Sequence, residues 1–147
     1  WFVQLAGVRT FEKVCITSHH ATDSQVVAAC SQNPLVELEL YGISALTRGV
    51  IDGIISSQSG ATLCKLEIMC CEPDDVDDEE SYMEERGIRA SDMLRLVRAC
   101  PNLSTLLWRG DVYSRFGPSW PNVTAEEILL KEVLEGRGGK LRGKFHK

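Results

Sequence analysis

The sequence contains few histidines and none of the short motifs from which common enzyme sites are built. Its histidines are limited to His19, His20 and His146. It has no Cys-x-x-Cys pair, no glycine-rich phosphate-binding loop and no nucleophile elbow. The sequence therefore predicts a protein that is not an enzyme and that has no cofactor, metal or small-molecule substrate. Two alternatives stay open. Cys15 could act with His19 as nucleophile and base, or the two residues could be metal ligands together with His20. A structural role for His19 in the turn after a strand is favoured over both.

Long apolar segments are also lacking. No run has the length of a membrane span, and no signal-peptide pattern is present. Six cysteines occur, but Cys30 and Cys100 fall on apolar helix stripes, where a free thiol behaves as a small hydrophobic group. Reduced thiols are typical of the cytosol and nucleus. The sequence therefore predicts free cysteines, a cytoplasmic or nuclear location and no membrane partner.

Four copies of one short apolar spacing are the most informative feature that is present. Each copy has apolar residues at relative positions 1, 4 and 6, and the alternation of positions 4 and 6 is typical of a half-buried strand. The copies are Phe11, Val14 and Ile16; Leu35, Leu38 and Leu40; Leu63, Leu66 and Ile68; and Leu103, Leu106 and Trp108. They are separated by 24, 28 and 40 residues, and repeats of about 20–29 residues are typical of a leucine-rich solenoid.

Helix signals fill the intervals between the copies. Thr22 and Ser91 are predicted helix N-caps, and Pro34 and Pro101 are predicted to end those helices before the next strand. Apolar residues at helical spacing form one stripe in each interval. The stripes are Val26, Val27 and Cys30; Val50, Ile51, Ile54 and Ile55; and Leu96, Val97 and Cys100. Each unit is therefore predicted to be a strand followed by a helix, which gives an α/β fold.

Two segments resemble a known class of repeats. The runs Thr22-Asp23…Cys30…Pro34-Leu35 and Ser91-Asp92…Cys100-Pro101-Asn102-Leu103 are similar to the cysteine-containing, ribonuclease-inhibitor-like class of leucine-rich repeats, which is common in F-box proteins. The resemblance covers about residues 8–111. It implies a leucine-rich repeat solenoid of about four to five repeats, with a curved parallel sheet on the concave side and helices on the convex side.

The same resemblance implies a function. F-box proteins of this class present substrates to a ubiquitin ligase. The chain would then be a protein–protein interaction module that binds its partner through the concave face, with a Skp1-like adaptor bound through a missing upstream segment. The alternatives are a scaffold or inhibitor module without a ligase and, less favoured, an RNA-associated protein that uses its basic C-terminal residues. Nucleic acid is less favoured because only Phe145 could stack on a base there.

The whole sequence, residues 1–147, is predicted to be a single leucine-rich repeat domain and a fragment of a longer solenoid. A capping box at residues 124–127 predicts a helix that ends at Gly136. Basic residues and glycines follow, so residues 137–147 are predicted to be a basic flexible tail. The alternative is that Leu141 begins a fifth strand.

Negative charge is concentrated in one segment. Between Glu72 and Glu85 there are nine acidic residues and no basic residue. Like charges repel and stay solvated, which predicts an acidic insert over residues 72–86. Within it, Ser81 has acidic residues before it and Glu84 three residues after it. This spacing fits a phosphorylation site for an acidophilic kinase and equally a capping box, and both interpretations stay open.

The alternation of side chains along a strand predicts the residues that contact a partner. If positions 4 and 6 point into the core, positions 3, 5 and 7 face away from it. The predicted protein-binding residues are Lys13 and Thr17; Glu37, Glu39 and Tyr41; Lys65, Glu67 and Met69; and Thr105, Leu107 and Arg109. Cys15 lies on the same face. Among these residues, Lys13, Glu37 and Lys65 are predicted to form a lateral row of alternating charge.

Four of these residues form the predicted main contact patch, because aromatic, apolar and arginine side chains are enriched at the centres of interfaces. They are Tyr41, Met69, Leu107 and Arg109. A contact on the loops at the strand ends is the alternative. Because Glu67 is assigned to the solvent-facing side, the sequence also predicts that a Glu67→Ala substitution costs almost no stability.

Overall fold

The computed structural model describes residues 11–43, 46–70, 87–109 and 125–142 of the chain. In these residues strands and helices alternate, as the apolar spacing predicted. The elements are β1 (Lys13–Thr17), α1 (Asp23–Gln32), β2 (Glu37–Ile43), α2 (Gly49–Ser56), a 3-10 helix (Gln58–Ala61), β3 (Lys65–Cys70), α3 (Ala90–Ala99), β4 (Thr105–Arg109), α4 (Ala125–Gly136) and β5 (Lys140–Arg142). Helix α4 ends at Gly136, which confirms that boundary.

The five strands form one parallel sheet in the order of the sequence. Each strand pairs in parallel with the strand that precedes it in the chain. Parallel neighbours need a crossover connection, and a helix lies in each of these connections. The predicted α/β class is therefore confirmed, with a five-stranded parallel sheet and four α-helices in the described residues.

Equivalent positions of the apolar copies lie side by side in the sheet. Val14 is opposite Leu38, Leu38 is opposite Leu66, and Leu66 is opposite Leu106. The position-6 residues are paired in the same way. The predicted register is therefore confirmed from β1 to β4. Strand β5 continues it, because Leu141 is opposite Leu106.

One hydrophobic core lies between the sheet and the helices. It contains every position-1, position-4 and position-6 residue of the second, third and fourth copies, together with the inward stripes of the helices. In the first copy Val14 is buried, while Phe11 and Ile16 are partly buried against the core. Complete burial of a Leu or Ile side chain contributes about 1.5–3 kcal/mol. The core therefore fixes which face of the sheet is left outside.

The two predicted helix starts have different outcomes. Thr22 caps α1 as predicted, since its Oγ1 accepts a hydrogen bond from the N–H of Gln25 at 3.4 Å and its own N–H donates to Oε1 of Gln25 at 3.0 Å. The prediction of Ser91 as an N-cap is wrong, because α3 begins at Ala90 and its N-cap is Arg89. The N–H of Arg89 instead donates to Oδ2 of Asp92 at 2.9 Å. A carboxylate is a strong partner at this end of a helix, where the dipole favours negative charge.

Polar side chains in the turns before the strands bond back to the preceding unit. Oδ1 of Asn33 accepts from the N–H of Phe11 at 2.9 Å. In the next such turn Ser59 is fully buried, and its Oγ accepts from the N–H of Leu35 at 3.0 Å. The same hydroxyl lies 2.8 Å from the carbonyl oxygen of Cys30 and 2.6 Å from that of Asn33. Because buried polar groups need partners, Ser59 ties its own unit to the unit before it.

The turn before β5 repeats this arrangement with a different residue. Nη1 of Arg137 donates to the carbonyl oxygens of Cys100 at 2.9 Å and Leu103 at 2.8 Å. A Cβ atom on Gly139 would lie 1.7 Å from the carbonyl oxygen of Ser104, so the close approach of β5 to β4 depends on glycine.

An ordered turn and a strand therefore replace the predicted flexible tail as far as Arg142, and the alternative of a fifth strand at Leu141 holds. Residues 143–147 lie outside the described residues. The predicted acidic insert over residues 72–86, with Ser81, lies outside them as well.

Candidate protein-binding face

Side chains at positions 3, 5 and 7 of the strands form a face of the sheet that lies opposite the helices. This open face consists of Lys13, Cys15 and Thr17; Glu37, Glu39 and Tyr41; Lys65, Glu67 and Met69; Thr105 and Leu107; and Lys140 and Arg142. All of these side chains are exposed or half-buried except that of Glu67, which is 7% exposed. Arg109 lies opposite Met69 in the register, but its side chain is not among those that the structure describes.

Ion pairs connect β1, β2 and β3 across the open face. Nζ of Lys13 lies 3.2 Å from Oε2 of Glu37 and 3.0 Å from Oε1 of Glu39. Nζ of Lys65 lies 3.7 Å from Oε1 of Glu39 and 3.0 Å from Oε1 of Glu67. The predicted row of Lys13, Glu37 and Lys65 is present in the register. The ion pairs, however, pass diagonally through Glu39, which the prediction of a straight row missed.

Glu67 is the most enclosed charged group among the described side chains of the open face. Its carboxylate accepts a hydrogen bond from the Tyr41 hydroxyl and pairs with Lys65. Burial raises the pKa of Glu67, but the bonds from Tyr41 and Lys65 and the charge of Arg142 outweigh it, so this pKa lies below its ordinary value. The bond to Glu67 in turn raises the pKa of the Tyr41 hydroxyl. The expectation that Glu67→Ala costs almost nothing no longer holds, because the substitution removes a buried acceptor from two donors.

We expect Glu67 to make the stability of the protein depend on pH in the acid range. A carboxylate whose pKa is lower in the folded than in the unfolded state stabilises the fold above its unfolded pKa, and this contribution is lost as the pH falls through the folded pKa. Glu67→Gln should therefore lower the free energy of unfolding by about 1–2 kcal/mol at neutral pH. The difference from wild type should shrink as the pH falls below about 4. Urea unfolding of both proteins at neutral and at acid pH measures it.

Tyr41→Phe is the matched control for this experiment, because it removes the hydroxyl that donates to Glu67 and keeps the ring. In the Tyr41→Phe background, Glu67→Gln should lower the free energy of unfolding by less than it does in the wild type. An effect of Glu67→Gln that is the same at every pH would contradict a low pKa for Glu67.

The predicted contact patch lies together in the sheet. Tyr41 is opposite Met69, and Met69 is opposite Arg109. Leu107 precedes Arg109 by two residues on β4, and Tyr41, Met69 and Leu107 are half-buried. Because the Tyr41 hydroxyl is bonded to Glu67, a partner would meet mainly the Tyr41 ring.

Cys15 lies on the open face of β1, and burial, reinforced by Glu39, raises the pKa of its thiol. A nucleophilic cysteine needs a lowered pKa, so this environment works against the alternative of Cys15 as a nucleophile with His19. No group of three or more His, Cys, Asp or Glu residues in the described parts of the chain is arranged to hold a metal ion. Free thiols are present at Cys15, Cys30, Cys64 and Cys100, and burial raises the pKa of Cys30 to about 12.

Two residues of the open face were missed by the sequence analysis. Lys140 lies opposite Thr105, and Arg142 lies opposite Leu107. Both side chains are exposed. The available signal was weak, because a strand of three residues with Leu141 as its single apolar residue shows almost no alternation.

Comparisons of the chain with protein-family models, with curated proteins and with solved structures find no match. Among the helices of the described segments, none is long and apolar enough to cross a lipid bilayer.

Proposed function

We propose that the chain is a protein-binding module of the leucine-rich repeat type, and that its open face contacts the partner protein. The observation that carries this proposal is the asymmetry of the sheet. On β2, β3 and β4 the position-4 and position-6 side chains are buried against the helices, whereas the open face keeps all but one of its described side chains exposed or half-buried. A broad face of this kind suits another macromolecule better than a small substrate, which needs a concave pocket.

The regularity of the sheet supports the solenoid part of the proposal. The same register recurs between successive strands, and neighbouring helices contact each other in chain order. The side-chain bonds of Asn33, Ser59 and Arg137 likewise join adjacent units. Contact with nearest neighbours alone is the organisation of repeat arrays, which bind their partners on extended concave surfaces.

A finer proposal is that the chain is the substrate-recognition part of an F-box ubiquitin ligase, with a Skp1-like adaptor bound elsewhere in the full-length protein. This part rests on the resemblance of the segments around Thr22 and Cys100 to F-box repeats. The RNA alternative has less support, since Arg137 already donates to two carbonyl oxygens and Lys140 and Arg142 belong to a strand.

Affinity purification of the tagged protein from its own cells, followed by mass spectrometry, tests the proposal. An open-face double variant, Thr17→Arg with Met69→Arg, should reduce recovery of the partner by at least about tenfold, because bulky charge at an interface excludes close contact. The matched helix-side double variant, Ser56→Arg with Ser91→Arg, changes two exposed residues on the helices and should keep the partner. Circular dichroism checks that both variants are folded.

The identity of the recovered proteins separates the finer alternatives. An adaptor and a cullin would support the ligase, and stable partners without them would support a scaffold or inhibitor. A partner that is lost from the helix-side variant and kept by the open-face variant would contradict the proposed binding face.

A further inference from the structure

Charge is unevenly distributed over the open face. On β1, β2 and β3, two lysines and three glutamates are linked by contacts of 3.0 to 3.7 Å. On β4 and β5, the charged side chains that are described are those of Lys140 and Arg142, and both are exposed. Neither forms an ion pair with a residue in the described part of the chain, and Arg142 acts on Glu67 only through its charge. The described side chains of the first half are therefore joined by ion pairs and carry one excess negative charge, whereas those of the other half carry two positive charges.

Uncharged side chains lie beside these two cations. Leu107 is half-buried and is opposite Glu67 on one side and Arg142 on the other. Thr105 is opposite Lys140. An apolar side chain and a hydroxyl therefore adjoin a pair of positive charges, which resembles the apolar centre and polar rim of protein interfaces.

We propose that Thr105, Leu107, Lys140 and Arg142, here called the cationic strip, bind an extended acidic segment of the partner protein. This inference rests on the proposed protein-binding function and adds the chemistry of the partner. Lys140 and Arg142 are two residues apart on one strand, so their Cα atoms are about 6.5 Å apart. An extended peptide has the same repeat, and acidic residues at alternate positions therefore match the two cations. Arginine also binds a carboxylate through two parallel hydrogen bonds.

The surroundings of the cationic strip favour an acidic protein over a nucleic acid. Lys140 and Arg142 are two cations on a strand of three residues, which is too few to follow a continuous phosphate backbone. Single-stranded nucleic acids also need aromatic side chains on which bases stack. Tyr41 is the aromatic residue among the described open-face side chains, and its hydroxyl is bonded to Glu67. An acidic peptide requires neither stacking nor a long basic groove.

Fluorescence anisotropy with labelled peptides tests the inference on the full chain. The probe is an extended peptide in which glutamate alternates with leucine and serine. A peptide with lysine in place of glutamate is the charge-reversed control, and an oligouridine is the nucleic-acid probe. The test variant is Lys140→Glu with Arg142→Glu. Lys131→Glu with Arg98→Glu is the matched control, because it makes the same change in net charge on exposed residues of α4 and α3.

The glutamate peptide should bind the wild type and the control variant with the same affinity, and should bind the Lys140→Glu, Arg142→Glu variant at least about tenfold more weakly. The affinity for the wild type should fall as salt is added. Equal loss of affinity in both variants, or no binding of the glutamate peptide to the wild type at low salt, would overturn the inference. Oligouridine that binds more tightly than the peptide, and is lost with the same double variant, would overturn it in favour of a nucleic acid.

The outcome can be separated from that of the proposed function. The glutamate peptide could fail to bind while partner proteins are still lost from the Thr17→Arg, Met69→Arg variant. In that case the open face binds proteins, but the inference that it binds an acidic segment of the partner is wrong. If neither experiment detects a contact on the open face, the proposed function fails together with the inference.

Discussion

Leu66→Ala is expected to lower the free energy of unfolding by about 2–5 kcal/mol, because it leaves a cavity in a core that cannot fully collapse around it. Leu66 is completely buried, and it lies between Leu38 and Leu106 in the middle of the sheet. Neighbours on both sides are held in place by their own pairing, which limits relaxation into the space. Urea denaturation followed by circular dichroism measures the change.

Leu107→Ala is the matched control for Leu66→Ala, because it truncates a leucine in the same way on the opposite face of the sheet. Leu107 is half-buried on the open face, and its truncation is expected to cost about 1 kcal/mol. Equal losses for Leu66→Ala and Leu107→Ala would show that the two faces of the sheet are assigned incorrectly. The residues assigned to the open face would then not be the residues that face away from the core.

Ser59→Ala is expected to lower the free energy of unfolding by about 1–3 kcal/mol, although it removes a single oxygen atom. The Ser59 hydroxyl is fully buried, accepts from the N–H of Leu35 and lies within hydrogen-bond distance of the carbonyl oxygens of Cys30 and Asn33. Alanine can replace none of these bonds. The Leu35 N–H and the Asn33 carbonyl oxygen keep their 3.0 Å bond to each other, but water cannot reach this buried site to replace the bonds that are lost. Thermal and urea unfolding measure the loss.

Ser56→Ala tests whether this loss is specific to the buried position. Ser56 is the exposed last residue of α2, and its substitution is expected to change stability by less than about 0.5 kcal/mol. If Ser59→Ala were as mild as Ser56→Ala, the hydroxyl of Ser59 would not be the link between adjacent units.

The strands could be predicted from the sequence because apolar residues recur at the positions where the fold buries side chains. Leu38, Leu66 and Leu106 are all completely buried and aligned. The start of α3 could not be predicted as reliably. Ser91 and Asp92 are both good capping residues, and only the backbone conformation decides that Asp92 makes the bond.

Polar links between units were harder to predict than apolar contacts. Ser59 followed by Gly60 is typical of a loop that breaks a helix, and nothing in the sequence distinguishes a buried serine from an exposed one. Arg137 lies among glycines and basic residues, which is typical of a solvated tail. Its bonds to Cys100 and Leu103 become visible only when β5 joins the sheet.

The composition of the open face could be predicted, but its contacts could not. The alternation of side chains assigns Lys13, Glu39 and Glu67 to this face without reference to a structure. Which lysine pairs with which glutamate depends on rotamers and on the twist of neighbouring strands. The sequence therefore predicts the row of charges, whereas the diagonal pairs through Glu39 and the enclosure of Glu67 are findings of the structure.

Strands β3 and β4 pair in the same register as their neighbours, although Leu66 and Leu106 are 40 residues apart and Leu38 and Leu66 are 28 residues apart. Loop-closure entropy grows with the logarithm of length. The separation of 40 residues therefore costs only about 0.3 kcal/mol more than the separation of 28 residues. The connection between β3 and α3 can therefore gain or lose sequence with little effect on the fold. Evolution should vary the length of the chain most freely there, and the same point is suitable for inserting a reporter domain.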